Sequence, residues 1–214
     1  MVSDADRDAE AAIEEILLAA RPEDGLLAEE GAHSEAASGR RWVVDPLDGT
    51  TNFLYGIPAW AVSIALEDGE GNALGVVFDP LRDEMFAAVR GQGARLNGAA
   101  IQVSGAARLD TALVATGFSY EAAERAAQAE VLARVLPAVR DVRRVGAAAL
   151  DLCWVAAGRL DGYYERGLKP WDWAAASLLV TEAGGELRTL AGPRAGLVAA
   201  TPLVIEDLLA YCAG

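Results

Sequence analysis

The stretch Trp42-Val43-Val44-Asp45-Pro46-Leu47-Asp48-Gly49-Thr50-Thr51-Asn52 constrains this chain more than any other. A β-branched run enters a polar turn that carries two acids three residues apart, a proline between them, a glycine and two hydroxyls. Asp45 ends the predicted strand, so its carboxylate sits at the lip where backbone pairing stops. Pro46 fixes φ and removes a donor, which suits a turn. Gly49 lets backbone approach whatever the acids hold, and Thr50, Thr51 and Asn52 suit the opening of a helix. Pro-Leu-Asp-Gly alone is an ordinary turn. The whole string is a turn that can hold a cation on its carboxylates and a phosphate on its amides.

Ahead of it, residues 4–20 read as an amphipathic helix capped by Asp4 or Asp6, with Ala9, Ile13, Ile16, Leu17 and Ala20 on one face. Leu26-Leu27-Ala28 is a short strand that delivers Glu29-Glu30-Gly31, and Ala32 to Arg40 is a loop. After the turn, Trp60 to Glu67, Leu74 to Phe78 and Glu84 to Val89 read as strands of an antiparallel meander, and Asn97-Gly98 turns a further hairpin. The second half alternates. Strands are predicted over 112–116, 142–145, 160–164, 186–190 and 196–200, and helices over 121–138, 147–157, 171–183 and 203–212. The expectation is an α+β lobe over residues 1–108 followed by an α/β lobe over 109–214, forming one layered unit.

With 214 residues the chain can bury a sizeable core. A net charge of −14 and the lack of any Lys/Arg run argue against a nucleic-acid partner and against docking on anionic membranes. No stretch approaches the roughly 20 apolar residues of a membrane span, and the polar, acidic residues 1–7 show no signal peptide. Cys153 and Cys212 read as buried thiols, which with the rest indicates a reducing cytoplasm. His33, the only histidine, sits in the polar loop, so no Ser-His-Asp or Cys-His set is available. No glycine pattern fits a nucleotide loop.

Five acids are candidates for one site: Glu29, Asp45, Asp48, Asp172 and, slightly apart, Glu165. Each has a plain alternative. Glu29 could be half of a solvated Glu-Glu pair, Asp172 a helix N-cap, and Glu165 an exposed acid after an edge strand. Four carboxylates from three segments would be enough for two hard cations with open positions, an arrangement suited to in-line phosphoryl displacement.

The string Asp45-Pro46-Leu47-Asp48-Gly49-Thr50-Thr51 resembles the metal-binding signature of the inositol monophosphatase family, within the lithium-sensitive, magnesium-dependent sugar phosphatases. Trp171-Asp172-x-Ala174-Ala175 followed by Thr181-Glu182-Ala183-Gly184-Gly185 resembles that family's second signature, and the likeness runs from Val2 to about Leu209. The resemblance implies a layered αβαβα sandwich with the site where the lobes meet. It implies Mg²⁺ held by Glu29, Asp45 and the Leu47 carbonyl, with Asp45 bridging to a second ion on Asp48 and Asp172. Glu30 is the less favoured choice for the first glutamate.

Thr50 and Glu29 would orient the attacking water, and the Gly49 and Thr50 amides would cradle phosphate. Glu165 would read ring hydroxyls beside a platform of Gly146, Ala147 and Ala148. The implied activity is hydrolysis of a small polyol phosphate, most plausibly inositol-1-phosphate, by a homodimer. Histidinol phosphate and fructose-1,6-bisphosphate are the alternatives, and some members also bind RNA polymerase or ribosome-assembly factors, which implies a non-catalytic interaction role as a second alternative. Family members also carry an N-terminal helix and hairpin before the segment matching Val2 to Arg7, so an exposed apolar patch is expected on the first lobe.

Overall fold

The computed structural model describes residues 2–192 and 194–213. Its first helix, α1 (Asp4–Ala20), has the expected bounds but is capped by Ser3, not by Asp4 or Asp6. The Ser3 hydroxyl accepts from the Asp6 amide, and the Asp6 carboxylate accepts from the Ser3 amide at 2.7 Å, a reciprocal cap that satisfies two otherwise unpaired donors. The buried stripe of α1 also differs from the predicted face. It runs through Asp6, Glu10, Ile13 and Leu17, while Ile16 is 68% exposed. The true stripe therefore carries two acids at helical spacing.

Strand β1 (Gly25–Ala28) pairs with a two-residue strand β2 (His33–Ser34) inside the predicted loop, and lies parallel to β3 (Arg41–Asp48). From β3 the chain meanders antiparallel through β4 (Ala61–Asp68), β5 (Gly71–Asp79), β6 (Glu84–Val89), β7 (Ala94–Leu96) and β8 (Ala99–Ile101). The short helix α2 (Thr50–Leu54) joins β3 to β4. Strand β3 does not stop at Asp45. It continues to Asp48 through a register shift, Asp45 facing Ser63 and Asp48 facing Ala61. In a regular strand, residues three apart point to opposite faces. The extra residue of this bulge re-aims the chain, and both acids line one cavity.

The second sheet has the order β10-β9-β11-β13-β12, built from β9 (Leu113–Thr116), β10 (Asp141–Arg143), β11 (Gly162–Arg166), β12 (Glu186–Leu190) and β13 (Gly196–Ala200). Strands β10, β9 and β11 are parallel, and β11, β13 and β12 are antiparallel. Its helices are α3 (Ala122–Val135), α4 (Ala148–Ala156), α5 (Pro170–Glu182) and α6 (Ile205–Cys212). Helices α4 and α5 lie between the two sheets, α1 covers the outer face of the first, and α3 and α6 cover the second. The result is the layered αβαβα sandwich expected above. Both central helices are apolar nearly all round, as helices buried on every side must be.

The largest core contains Val77, Phe86, Leu150, Leu152, Tyr163 and Leu179, and joins both sheets through α4 and α5. Helix α5 sits almost on the backbone of β5. A Cβ added at Gly75 would stand 2.5 Å from the Ala175 carbonyl oxygen. Beside it the Asn72 amide donates to the Ala174 carbonyl at 2.8 Å and to the Ser177 hydroxyl at 3.0 Å. Asp172, in the first turn of α5, is thereby fixed against the sheet that carries Asp45 and Asp48. Cys153 and Cys212 are buried free thiols.

Candidate active site

Where the ends of β1, β3 and β11 meet the starts of α2, α4 and α5, a cavity of about 490 Å³ opens. Every predicted site residue lines it: Glu29, Asp45, Leu47, Asp48, Gly49, Thr50, Gly146, Ala147, Ala148, Glu165 and Asp172. Gly49 caps α2 with φ +97°, a left-handed conformation that favours glycine. A Cβ there would also come within 3.0 Å of the Ala59 carbonyl oxygen. The Asn52 side chain donates to the Ala59 and Val145 carbonyls at 2.7 and 2.9 Å, tying α2 to the segment that leads into α4.

The acids are held by amides. Asp45 accepts from the Leu47 amide at 2.9 Å. Asp48 accepts from the Ala148 and Ala149 amides at 3.2 and 2.7 Å, and so supplies the cap of α4. That commits the Ala148 amide to Asp48 and leaves the Ala148 side chain as cavity wall. Asp172 is not the N-cap of α5. It occupies the third position of the helix, and its carboxylate reaches back to the Lys169 amide at 2.6 Å. Glu165 is not an acid after an edge strand either, because β11 is the centre of its sheet and extends through Arg166. Its carboxylate accepts from the Tyr163 hydroxyl and packs on Gly117.

Burial raises the pKa values of all five carboxyls, and for all but Asp172 neighbouring negative charge adds to it. Burial pushes Asp45 well above the usual carboxylate range, and the charges of Asp48, Glu29 and Asp172 push the same way. Burial and Asp172 do the same to Asp48 against the pull of its two amides. Asp172 rises to about 6, chiefly through burial, and Glu165 to about 7 through burial, with the Tyr163 hydrogen bond opposing. Glu29, at the lip, also rises to about 7 through burial of its carboxyl, with the Asp45 hydrogen bond opposing and the charges of Asp172, Glu30 and Asp6 adding. These are the effects of desolvation and like charge at close quarters.

The donor set is all oxygen, with no thiol or imidazole in the cavity lining. Such a set fits a hard divalent cation. Among the described residues no three acidic, thiol or imidazole groups close on a point as a finished cage.

Three further residues were not anticipated. The buried Thr50 hydroxyl lies 3.0 Å from Asp6 Oδ1 and 3.1 Å from the Leu47 carbonyl oxygen, with one proton to give. Glu10 accepts from the Glu30 and Ala32 amides at 2.8 and 3.0 Å and so clamps the loop that carries Glu29. The signal for both was an acid on the buried stripe of α1. Asp151 lines the cavity from α4 and is 1% exposed, and its Oδ1 has no hydrogen-bond partner among the described residues. His33 is exposed and outside the cavity lining. Trp171 is cavity wall, whereas Trp60 packs edge-on against Phe53.

Comparison with known proteins agrees with this geometry. The model of the inositol monophosphatase family matches residues 1–211. The chain is 43% identical over 216 residues to Nus factor SuhB of Salmonella typhimurium, covering 98% of this chain and 81% of that protein. It is 46% identical over 219 residues to inositol-1-monophosphatase of Mycobacterium bovis, covering 96% and 75%. The crystal structure of the extragenic suppressor protein suhB from Bartonella henselae superposes with a TM-score of 0.93 at 42% identity, over 99% of this chain and 84% of that one. This chain belongs to the inositol monophosphatase family and is an enzyme of the phosphatase class.

Proposed function

We propose that the chain is a Mg²⁺-dependent phosphomonoesterase of small polyol phosphates, with inositol-1-phosphate as the first candidate, working between a lobe of residues 1–108 and one of 109–214. The observation that carries this reading is the meeting of four acids from three chain segments with a buried threonine hydroxyl in one cavity of small-molecule size. Glu29, Asp45 and the Leu47 carbonyl would hold one cation, and Asp45, Asp48 and Asp172 a second. Bound there, the cations would lower the pKa of a water and offset charge on the transferred phosphoryl group.

The chain's own groups do the rest. Asp6 takes the Thr50 proton in a hydrogen bond, which leaves the Thr50 oxygen lone pairs to accept from the attacking water. Glu29 flanks the same water, and the Gly49 and Thr50 backbone faces the phosphate. Glu165 accepts from vicinal hydroxyls of the polyol in charge-assisted bonds. Water oxygen bonds to phosphorus, the ester bond breaks, and the polyol leaves with a proton. A parallel assay of inositol-1-phosphate, histidinol phosphate and fructose-1,6-bisphosphate with Mg²⁺ tests this reading. Turnover of none of them would overturn it.

One observation favours a second reading. A relative with 43% identity bears the name Nus factor, so a protein-binding role, with RNA polymerase or its factors as partner, accompanies or replaces catalysis. Partner binding would survive Asp45→Asn, while phosphatase activity would not. We further propose a cytoplasmic homodimer. No helix among the described residues is long and apolar enough to cross a membrane.

A further inference from the structure

Two parts of the site hang on one helix. Asp6 and Glu10 stand four residues apart on the buried stripe of α1, about 6 Å along its axis. Asp6 takes the Thr50 hydroxyl at 3.0 Å on one oxygen and the Ser3 amide at 2.7 Å on the other. Glu10, 7% exposed, reaches the turn that carries Glu29. Its two oxygens accept from the Glu30 amide at 2.8 Å and the Ala32 amide at 3.0 Å.

That turn has little else to hold it. Strand β1 pairs Ala28 with Val44, and the Glu29 amide still donates to the Val44 carbonyl at 3.2 Å, so register sets Glu29 beside Asp45. Past Glu29 the chain leaves the sheet through Gly31, at φ +116°, and returns where the Ala28 amide meets the Ala32 carbonyl at 3.0 Å. The Glu30 and Ala32 amides find no backbone carbonyl among the described residues. One buried carboxylate meets both, in charge-assisted bonds that fix the turn in place and in tilt. A carboxylate borne on that turn inherits its position from Glu10.

We infer that Glu10 is a positioning residue for the first cation. Through the Glu30 and Ala32 amides it fixes where the Glu29 carboxylate stands, and so how tightly the cation is held. This rests on the reading above, in which Glu29 is a ligand of that cation. A buried acid that only closed the turn would add stability and leave cation affinity alone.

The test is calorimetric titration with Mg²⁺ alone, in wild type, Glu10→Gln, Glu10→Ala, Glu29→Gln and the double variant of Glu10→Ala with Glu29→Gln. Urea unfolding of each follows stability. Glu10→Ala should raise the Kd for Mg²⁺ roughly tenfold to a hundredfold. Glu10→Gln keeps one acceptor and turns a donor on the other amide, so it should fall between, and it carries the test if Glu10→Ala does not fold. On the Glu29→Gln background, Glu10→Ala should change Kd less than about twofold, because the group it acts through is already lost. A Kd unchanged by either Glu10 substitution while the urea midpoint falls would overturn the inference. So would an equal rise in Kd with and without Glu29. Mg²⁺ binding in the expected pattern without turnover of any phosphate ester would sink the phosphatase reading and leave the role of Glu10 standing. A wild type that binds no Mg²⁺ would overturn both.

Discussion

Raising the pH should destabilise the metal-free protein between about pH 4 and 7, because the acid cluster binds protons more tightly folded than unfolded. Glu165 rises from 4.5 to about 7 and Asp172 from 3.8 to about 6, both chiefly through burial. Below about pH 3 both carboxyls are protonated in either state, and their contribution to stability is intact. As pH rises past the unfolded values, the unfolded chain sheds these protons while the folded one keeps them, and stability falls until the folded pKa values are passed. A tenfold difference in proton affinity between the two states is worth about 1.4 kcal/mol, so each group alone contributes a loss on the order of 3 kcal/mol. The two groups titrate as a coupled pair, so the joint loss is not the simple sum of the two. Asp45 and Asp48 act in the same direction.

The surface acids paired with arginine, such as Asp68, Glu84 and Asp141, have lowered pKa values. They lose their pairing only in more acidic solution, which leaves the window clear. Urea unfolding in EDTA, followed by tryptophan fluorescence at pH 4, 5, 6 and 7, should give a midpoint that falls at each step. Saturating Mg²⁺ should flatten the trend by stabilising the ionised cluster. A midpoint that is flat or rises with pH in EDTA would refute the electrostatic account of the site.

Other expectations follow from single contacts. Asp6→Ala, which removes the side-chain acceptor of the Thr50 hydroxyl, should lower kcat roughly tenfold to a thousandfold. An unchanged kcat would remove Asp6 and Thr50 from the chemistry. Gly117→Ala should cost about 1–3 kcal/mol, since the added Cβ displaces the Glu165 carboxylate to which the buried Tyr163 hydroxyl donates. It should also raise KM for a polyol phosphate by displacing that carboxylate, and an unchanged KM would deny Glu165 its reading role. Gly75→Ala meets the backbone of α5 at 2.5 Å. It should cost about 1–3 kcal/mol in urea unfolding and lower activity by shifting Asp172, and wild-type stability would mean that α5 is less tightly seated.

Much of this was legible in the sequence because the chemistry was written in local residue types. The Asp45 to Asn52 string announced its turn, Asn97-Gly98 its hairpin, and the alternating second half its helices between strands. What escaped depended on distant partners. The bulge that turns Asp45 and Asp48 to one side exists only against β4, so the strand was expected to end three residues early. Strand β11 is central because β9 and β13 flank it, which the residues around Glu165 cannot reveal.

Asp6 and Glu10 were overlooked because a helix face is ordinarily sought through its apolar residues. Here the buried stripe substitutes acids at two of its positions, one for the Thr50 hydroxyl and one for the amides of Glu30 and Ala32. An acid on an apolar stripe is a signal in its own right, because burial of a carboxylate is costly unless donors meet it. Gly117 gave no signal, since its role is the space it leaves for a side chain 48 residues away.

The central claim is that the acid cluster holds cations for phosphate ester hydrolysis. Phosphate release from inositol-1-phosphate, with and without Mg²⁺, in wild type and Asp45→Asn side by side, tests it most directly. The account predicts Mg²⁺-dependent release by wild type and a loss of at least a thousandfold in Asp45→Asn. Release that ignores Mg²⁺, or that survives in Asp45→Asn, would contradict it.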